Sequence, residues 1–74
     1  MYKWQQIFND LLGRISSGDL APGSRLPSEA DLSEQYDVTH STVRRALLEL
    51  RIEGLVMPRQ GAGVVVLERL DPVI

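Results

Sequence analysis

Residues 28–54 read SEADLSEQYDVTHSTVRRALLELRIEG, and the spacing of their apolar and capping residues decides the fold. Ser28 stands three residues before Asp31, a capping-box-like pair whose serine oxygen accepts from the free N–H groups at the start of a helix. In the helix that follows, Ala30, Leu32 and Tyr36 supply apolar surface. Leu32 and Tyr36 lie four apart on one face, with Glu29, Glu34 and Gln35 toward water. A helix so short persists only against a partner. Tyr36-Asp37-Val38 is the turn to that partner, with Val38 directed into the junction and Thr39 as the next N-cap. From His40 onward, Val43, Ala46, Leu47 and Leu50 recur at i, i+3, i+4 and i+7 and make a buried stripe. At about 100° per residue, Ser41, Arg45 and Leu48 lie opposite that stripe, while His40, Arg44 and Arg51 line one flank. Leu48 and Ile52 do not suit a solvated outer face; packing on other elements and packing on a second subunit both remain open. Two helices at this spacing form a helix-turn-helix, the first bracing the second so that its opening turns project.

Working outward, Gly54 is the residue type expected just past the end of a helix. Beyond it, Leu55-Val56-Met57 is a short apolar strand and Val64-Val65-Val66-Leu67 is the clearest strand in the chain. Residues 58–63, PRQGAG, supply glycines for a reversal between them. Residues 57–64 therefore form a wing whose tip carries Arg59, Gln60 and Gly61. On the N-terminal side, Trp4, Ile7, Phe8, Leu11, Leu12 and Ile15 recur at intervals of three and four across residues 2–17, an amphipathic helix. Gly18 ends it and Pro22-Gly23 turns the chain. Trp4 and Phe8, at this periodicity, read as core rather than as a ligand pocket. Pro27 disfavours helix in the residue before it, so Arg25-Leu26 is extended and a candidate short strand. The expected architecture is mainly α with a small β-hairpin: a winged helix-turn-helix, three helices plus wing, over residues 1–67. Residues 68–74, with Asp71-Pro72 and little pattern, read as the start of a linker.

Seventy-four residues suffice for one domain with a small core, since a chain of this length hides only about 60% of the surface its unfolded form exposes. No cysteine and one histidine are present, which excludes disulfides, thiolate sites and histidine-rich metal sites; no metal or cofactor is expected. No apolar run approaches the roughly 20 residues that span a bilayer, and residues 1–13 lack a signal peptide's basic start and apolar centre. A cytoplasmic protein with no membrane partner is expected. No histidine–carboxylate–nucleophile set and no phosphate-binding glycine loop is spaced for catalysis, so an enzyme is not expected.

The formal charge of -2 runs mildly against nucleic acid, whose phosphates call for a basic footprint. Distribution outweighs the sum. Residues 38–61 hold Arg44, Arg45, Arg51 and Arg59 against Glu49 and Glu53, so that third is +2 and the remainder -4. The positive charge thus sits on the projecting helix and the wing, where a helix-turn-helix meets the major groove of DNA.

Five pieces stand in order: Gly18-Asp19-Leu20-Ala21-Pro22-Gly23; Leu26-Pro27-Ser28-Glu29; Val38-Thr39-His40-Ser41-Thr42-Val43-Arg44-Arg45-Ala46-Leu47; Glu53-Gly54-Leu55-Val56; and Gly61-Ala62-Gly63. Together they resemble the winged helix-turn-helix of the GntR family of bacterial transcription regulators, over roughly residues 7–66, with the HutC-like branch as one place for it. The resemblance implies sequence-specific binding of double-stranded DNA, with residues 39–53 as recognition helix. It also implies a palindromic operator bound by a homodimer, and a C-terminal domain, beyond this sequence, that senses a small-molecule effector. Carried over by position, the family's DNA contacts fall on Ser41, Thr42 and Arg44 and, at the wing, on Gln60 and Gly61. The family commonly has arginine where His40 stands, a basic residue near Ala30, and arginine where Ala62 stands. Three cationic contacts are missing, so weaker binding and a sequence preference of its own are expected.

The residues themselves supply the chemistry. Arg44, the foremost candidate, can give two parallel N–H donors to guanine O6 and N7 or hold a phosphate. Arg45, added from the helical wheel, has a competing partner in Glu49 four residues on. Ser28, Thr39, Ser41 and Thr42 sit where hydroxyls and free backbone N–H groups at helix starts receive phosphate oxygen, or serve as caps alone. His40 can donate to phosphate or base, or be an ordinary surface residue. Arg59 and Gln60 reach toward a neighbouring minor groove or backbone. The rival reading is a winged helix used as a protein–protein interaction module without DNA binding.

Overall fold

Each helix begins where a local acceptor takes up N–H groups that its first turn leaves free. The computed structural model describes residues 2–61 and 63–67, and in it α1 (Lys3–Ser17), α2 (Glu29–Tyr36) and α3 (His40–Ile52) precede β1 (Val56–Arg59) and β2 (Gly63–Val66). At α1 the Gln5 N–H donates to the Tyr2 carbonyl at 3.0 Å, and the Gln5 side chain accepts from the Tyr2 N–H at 3.3 Å. Ser28 Oγ accepts from the Asp31 N–H at 3.0 Å, and Thr39 Oγ1 from the Thr42 N–H at 3.3 Å, as the sequence leads one to expect.

The helix ends are equally local. After α3, Gly54 takes φ 76°, which lets its N–H reach the Arg51 carbonyl at 2.9 Å while the Leu55 N–H reaches Leu50 at 3.0 Å. This paired closure satisfies two of the last carbonyls of the helix and turns Leu55 back onto the core. After α2 the same job falls to Asp37, at φ 54° the one non-glycine in the left-handed region among the described residues. Asp tolerates that conformation better than most side chains. The Val38 N–H returns to the Ser33 carbonyl at 3.0 Å and Ser33 Oγ donates to the Val38 carbonyl, so the turn is tied from both sides.

Val43, Ala46, Leu47 and Leu50, the stripe expected from periodicity, are all buried in one core with Ile7 and Leu11 of α1, Leu32 of α2, and Leu55, Val56 and Val66 of the hairpin region. Trp4, Phe8, Leu12, Ile15, Tyr36 and Val38 pack around it half-buried. Leu48 and Ile52 stay outside this core, 50% and 66% exposed.

The hairpin departs from the expected boundaries. β1 and β2 pair antiparallel with Val56 opposite Val66 and Arg59 opposite Gly63, so the first strand continues through Pro58 and Arg59 and the second begins at Gly63. Leu55 and Leu67 lie outside the strands, though the Leu67 N–H donates to the Leu55 carbonyl at 2.9 Å. Proline fits because β1 is an outer strand, where a missing N–H costs no ladder bond on the open side. On the other side of β2, Arg25 bridges Val65, the Gly23 and Leu26 N–H groups donate to Val66 and Val64 at 2.8 Å, and the Val66 N–H donates to Ser24 at 2.9 Å. The extended Arg25-Leu26 segment thus edges the sheet. Ala62 and the expected linker, residues 68–74, lie outside the described residues.

Truncating Leu50, fully buried beneath α3, leaves a cavity, so Leu50→Ala is expected to lower unfolding free energy by about 2–5 kcal/mol in urea denaturation. Gly54→Ala should cost about 1–2 kcal/mol in the same assay through its backbone conformation alone, since open space surrounds the added carbon.

Candidate nucleic-acid interface

Because the stripe of α3 is buried, its opposite face is left to solvent. Ser28, Thr39, His40, Ser41, Arg44 and Arg45 are exposed and Thr42 is half-buried; on the wing Arg59, Gln60 and Gly61 are exposed. The recognition candidates are therefore uncovered by the rest of the molecule. Arg59 belongs to β1 rather than to the tip, which Gln60 and Gly61 occupy.

Two neighbouring arginines do different things. Arg44 Nε donates to Glu29 Oε1 at 3.1 Å, an ion pair whose side chains are 64% and 39% exposed. Glu29, expected to face water, instead crosses from α2 to hold Arg44 at the front of α3. Such an exposed pair contributes about 0–1 kcal/mol and exchanges readily for another anion. Arg45 lies about 100° further round the helix. Its Nε donates to Glu49 Oε2 at 3.2 Å, and its guanidinium stands 4.7 Å from the ring centre of Trp4 on α1. That cation–π contact ties α3 to α1. Trp4 in turn meets Phe8 edge-on, with ring centroids 6.4 Å apart.

Thr39 and Thr42 share a hydroxyl contact at 3.1 Å besides the cap bond, so both hydroxyls are engaged at the helix start. His40 and Ser41 make no side-chain hydrogen bond among the described residues and are open to a ligand. Sequence reading left out Glu29 as a partner because its contact lies across a turn and fifteen residues along the chain, where no periodicity reports it.

The brace is held to the scaffold by a polar link. Tyr36 of α2 donates from its hydroxyl to Asp10 Oδ2 of α1 at 3.0 Å. Burial raises the Tyr36 phenol above its ordinary value, the hydrogen bond to Asp10 and the Asp10 charge raise it further, and Arg14 opposes them. Among the described residues no helix is long and apolar enough to cross a membrane, and no group of three or more His, Asp or Glu residues could hold a metal ion.

Comparison with known proteins matches the model of "Bacterial regulatory proteins, gntR family" to residues 3–66. The chain is 53% identical over 47 residues to the Uxu operon transcriptional regulator of Escherichia coli K12, covering 64% of this chain and 18% of that protein. It is 38% identical over 65 residues to the histidine utilization repressor of Klebsiella aerogenes, covering 88% of this chain and 27% of that one. The chain thus spans about a fifth to a quarter of the length of these regulators. Among solved structures, the DNA-binding domain of AraR in complex with operator ORR3 superposes with a TM-score of 0.82 at 31% identity, over 86% of this chain and 77% of that one.

A raised phenol makes the folded state hold its proton longer than the unfolded chain does. Its stabilising effect is complete below the phenol's unfolded value near 10 and fades as pH climbs through the higher folded value. Losing the hydroxyl's bond to Asp10 should make Tyr36→Phe slightly less stable than wild type at neutral pH, and because only wild type has a phenol to ionise, the gap should close in alkaline thermal melts.

Proposed function

We propose that this chain, which belongs to the GntR family of bacterial regulatory proteins, is the operator-reading domain of a bacterial transcription regulator. In this reading α3 enters the major groove and the wing meets an adjacent groove or the backbone. The observation that carries it is the uncovered, hydroxyl- and guanidinium-bearing start of α3 beside an exposed hairpin, in a fold shared with a domain solved on its operator.

Within that surface, Arg44 is the base-reading arginine, freed from Glu29 when DNA arrives. Ser41 and His40 reach base edges or phosphate. Thr39, Thr42 and Ser28 present helix starts to phosphate oxygens. Gln60 and Gly61 approach the backbone or minor groove from the wing tip, with Arg59 behind them. Arg45 contributes from the edge of the surface while it secures α1. Residues 1–67 form the reading domain and the following residues lead to an effector-binding domain. That domain brings two copies onto a palindromic operator and senses a small molecule. The regulator works in the cytoplasm and catalyses no reaction.

Selection of bound sites from a random duplex pool, followed by affinity measurement, tests the proposal. Arg44→Ala is expected to weaken binding to the selected site about tenfold to hundredfold and to relax preference at one base pair. Its thermal unfolding should be nearly unchanged, because only an exposed ion pair is lost. Equal affinity of Arg44→Ala and wild type would overturn the assignment. Absence of any duplex binding at low salt would instead give this surface to a protein partner.

A further inference from the structure

Between α3 and the hairpin an open groove of about 220 Å³ runs from the Arg44–Glu29 pair toward the end of α3. Its floor is apolar, from Leu47, Leu48, Val56, Pro58 and Val64; two guanidiniums, Arg44 and Arg51, stand along its α3 side, and the Glu29 carboxylate that pairs with Arg44 completes the lining. Arg51 is exposed, and among the described residues it makes no ion pair and no side-chain hydrogen bond. It follows Arg44 by seven residues, two turns on the same flank of the helix, about 10 Å further along the axis.

We infer that this groove seats one DNA strand's sugar–phosphate backbone where it passes between the major groove read by α3 and the groove met by the wing, and that Arg51 holds a phosphate of that strand. The inference rests on the proposed DNA binding. A strand leaving a helix in the major groove for a hairpin beside it must cross the space separating the two, and here that space is this groove. Deoxyribose is the least polar part of the strand and suits the apolar floor. Phosphates recur about every 3.4 Å of duplex axis on each strand, so a strand crossing this groove offers one to Arg51 while Arg44, about 10 Å nearer the start of the helix, reads a base edge. Arg44 has Glu29 as an internal partner, whereas Arg51 is paired with no carboxylate among the described residues. An arginine in the last turn of a helix also faces the negative end of its dipole, which is a structural role and a small one. Stability and salt dependence separate the two roles.

The test measures affinity of the 74-residue chain and its variants for the selected operator and for random duplex across a salt series, with thermal melts alongside. Arg51→Gln is expected to bind both duplexes roughly five- to tenfold more weakly at about 0.1 M salt, and to reduce the slope of log affinity against log salt by about one. Its ratio of operator to random binding and its melting temperature should match wild type, and Arg51→Lys should restore the slope. Unchanged affinity and slope in Arg51→Gln would overturn the inference while leaving the DNA-binding reading intact. So would a loss confined to the operator, or one accompanied by a lower melting temperature. Wild type failing to bind any duplex at low salt would instead remove the reading on which the inference stands.

Discussion

The burial of one side of α3 is the constraint on which the rest depends. Val43, Ala46, Leu47 and Leu50 must all be taken from water, and a helix of thirteen residues can hide them only if other elements close on that side alone. Burying each leucine or valine contributes about 1.5–3 kcal/mol, a large share of what so small a domain can muster. α1 supplies Ile7 and Leu11, α2 supplies Leu32, and the hairpin region supplies Leu55, Val56 and Val66. Once they meet on the stripe, the opposite half of α3 is left largely to solvent, with Trp4 reaching only Arg45, and the exposure of Ser41 and Arg44 follows from packing.

Electrostatics explains how a chain of net charge -2 can still offer a basic surface. Among the described residues three carboxylates are drawn into exposed pairs, Asp19 with Arg14, Glu29 with Arg44 and Glu49 with Arg45. Asp10 accepts from Tyr36. None of these pairs is buried, so each is held weakly and screened by salt. Glu29 keeps Arg44 extended across the front of the helix-turn-helix without fixing it there, and an incoming phosphate or guanine has only a solvated carboxylate to displace. Arg45 is held more firmly because its partner lies on its own helix and its flat face lies on Trp4.

Periodicity and capping chemistry are local, and whatever depended on them was legible: the three helices, the Ser28 and Thr39 caps, Gly54 past the end of α3, and the buried stripe. Contacts across the chain were not. The extension of β1 through Pro58 depends on which strand lies at the edge, and that is settled by Arg25 pairing with Val65 forty residues away. Asp37 does the work normally given to glycine, and nothing in its neighbours announces a left-handed residue there. The exposed candidates were readable from the wheel, whereas the divergence of Arg44 and Arg45 was not, because a wheel shows angle without showing that Glu29 stands on one side and Trp4 on the other.

The same angular reasoning bears on how specificity and affinity are divided. His40, Arg51 and Arg44 lie along one flank of α3, and the cation commonly found at the first of these positions in the family is a histidine here. In the proposed complex a guanidinium at the start of the helix would reach base edges, while Arg51 near its end lines the groove beside the wing. If Arg51 takes a phosphate as inferred, charge missing from the sequence-reading end is made up at the sequence-blind end. Phosphate contacts fix register and add a salt-dependent term common to all duplexes, whereas base contacts separate one duplex from another. On the proposed reading, a domain with its cations placed this way would hold DNA through its backbone and discriminate chiefly through Arg44 and the hydroxyls beside it. Under the proposed two-fold assembly on a palindrome, doubling the site would sharpen that discrimination.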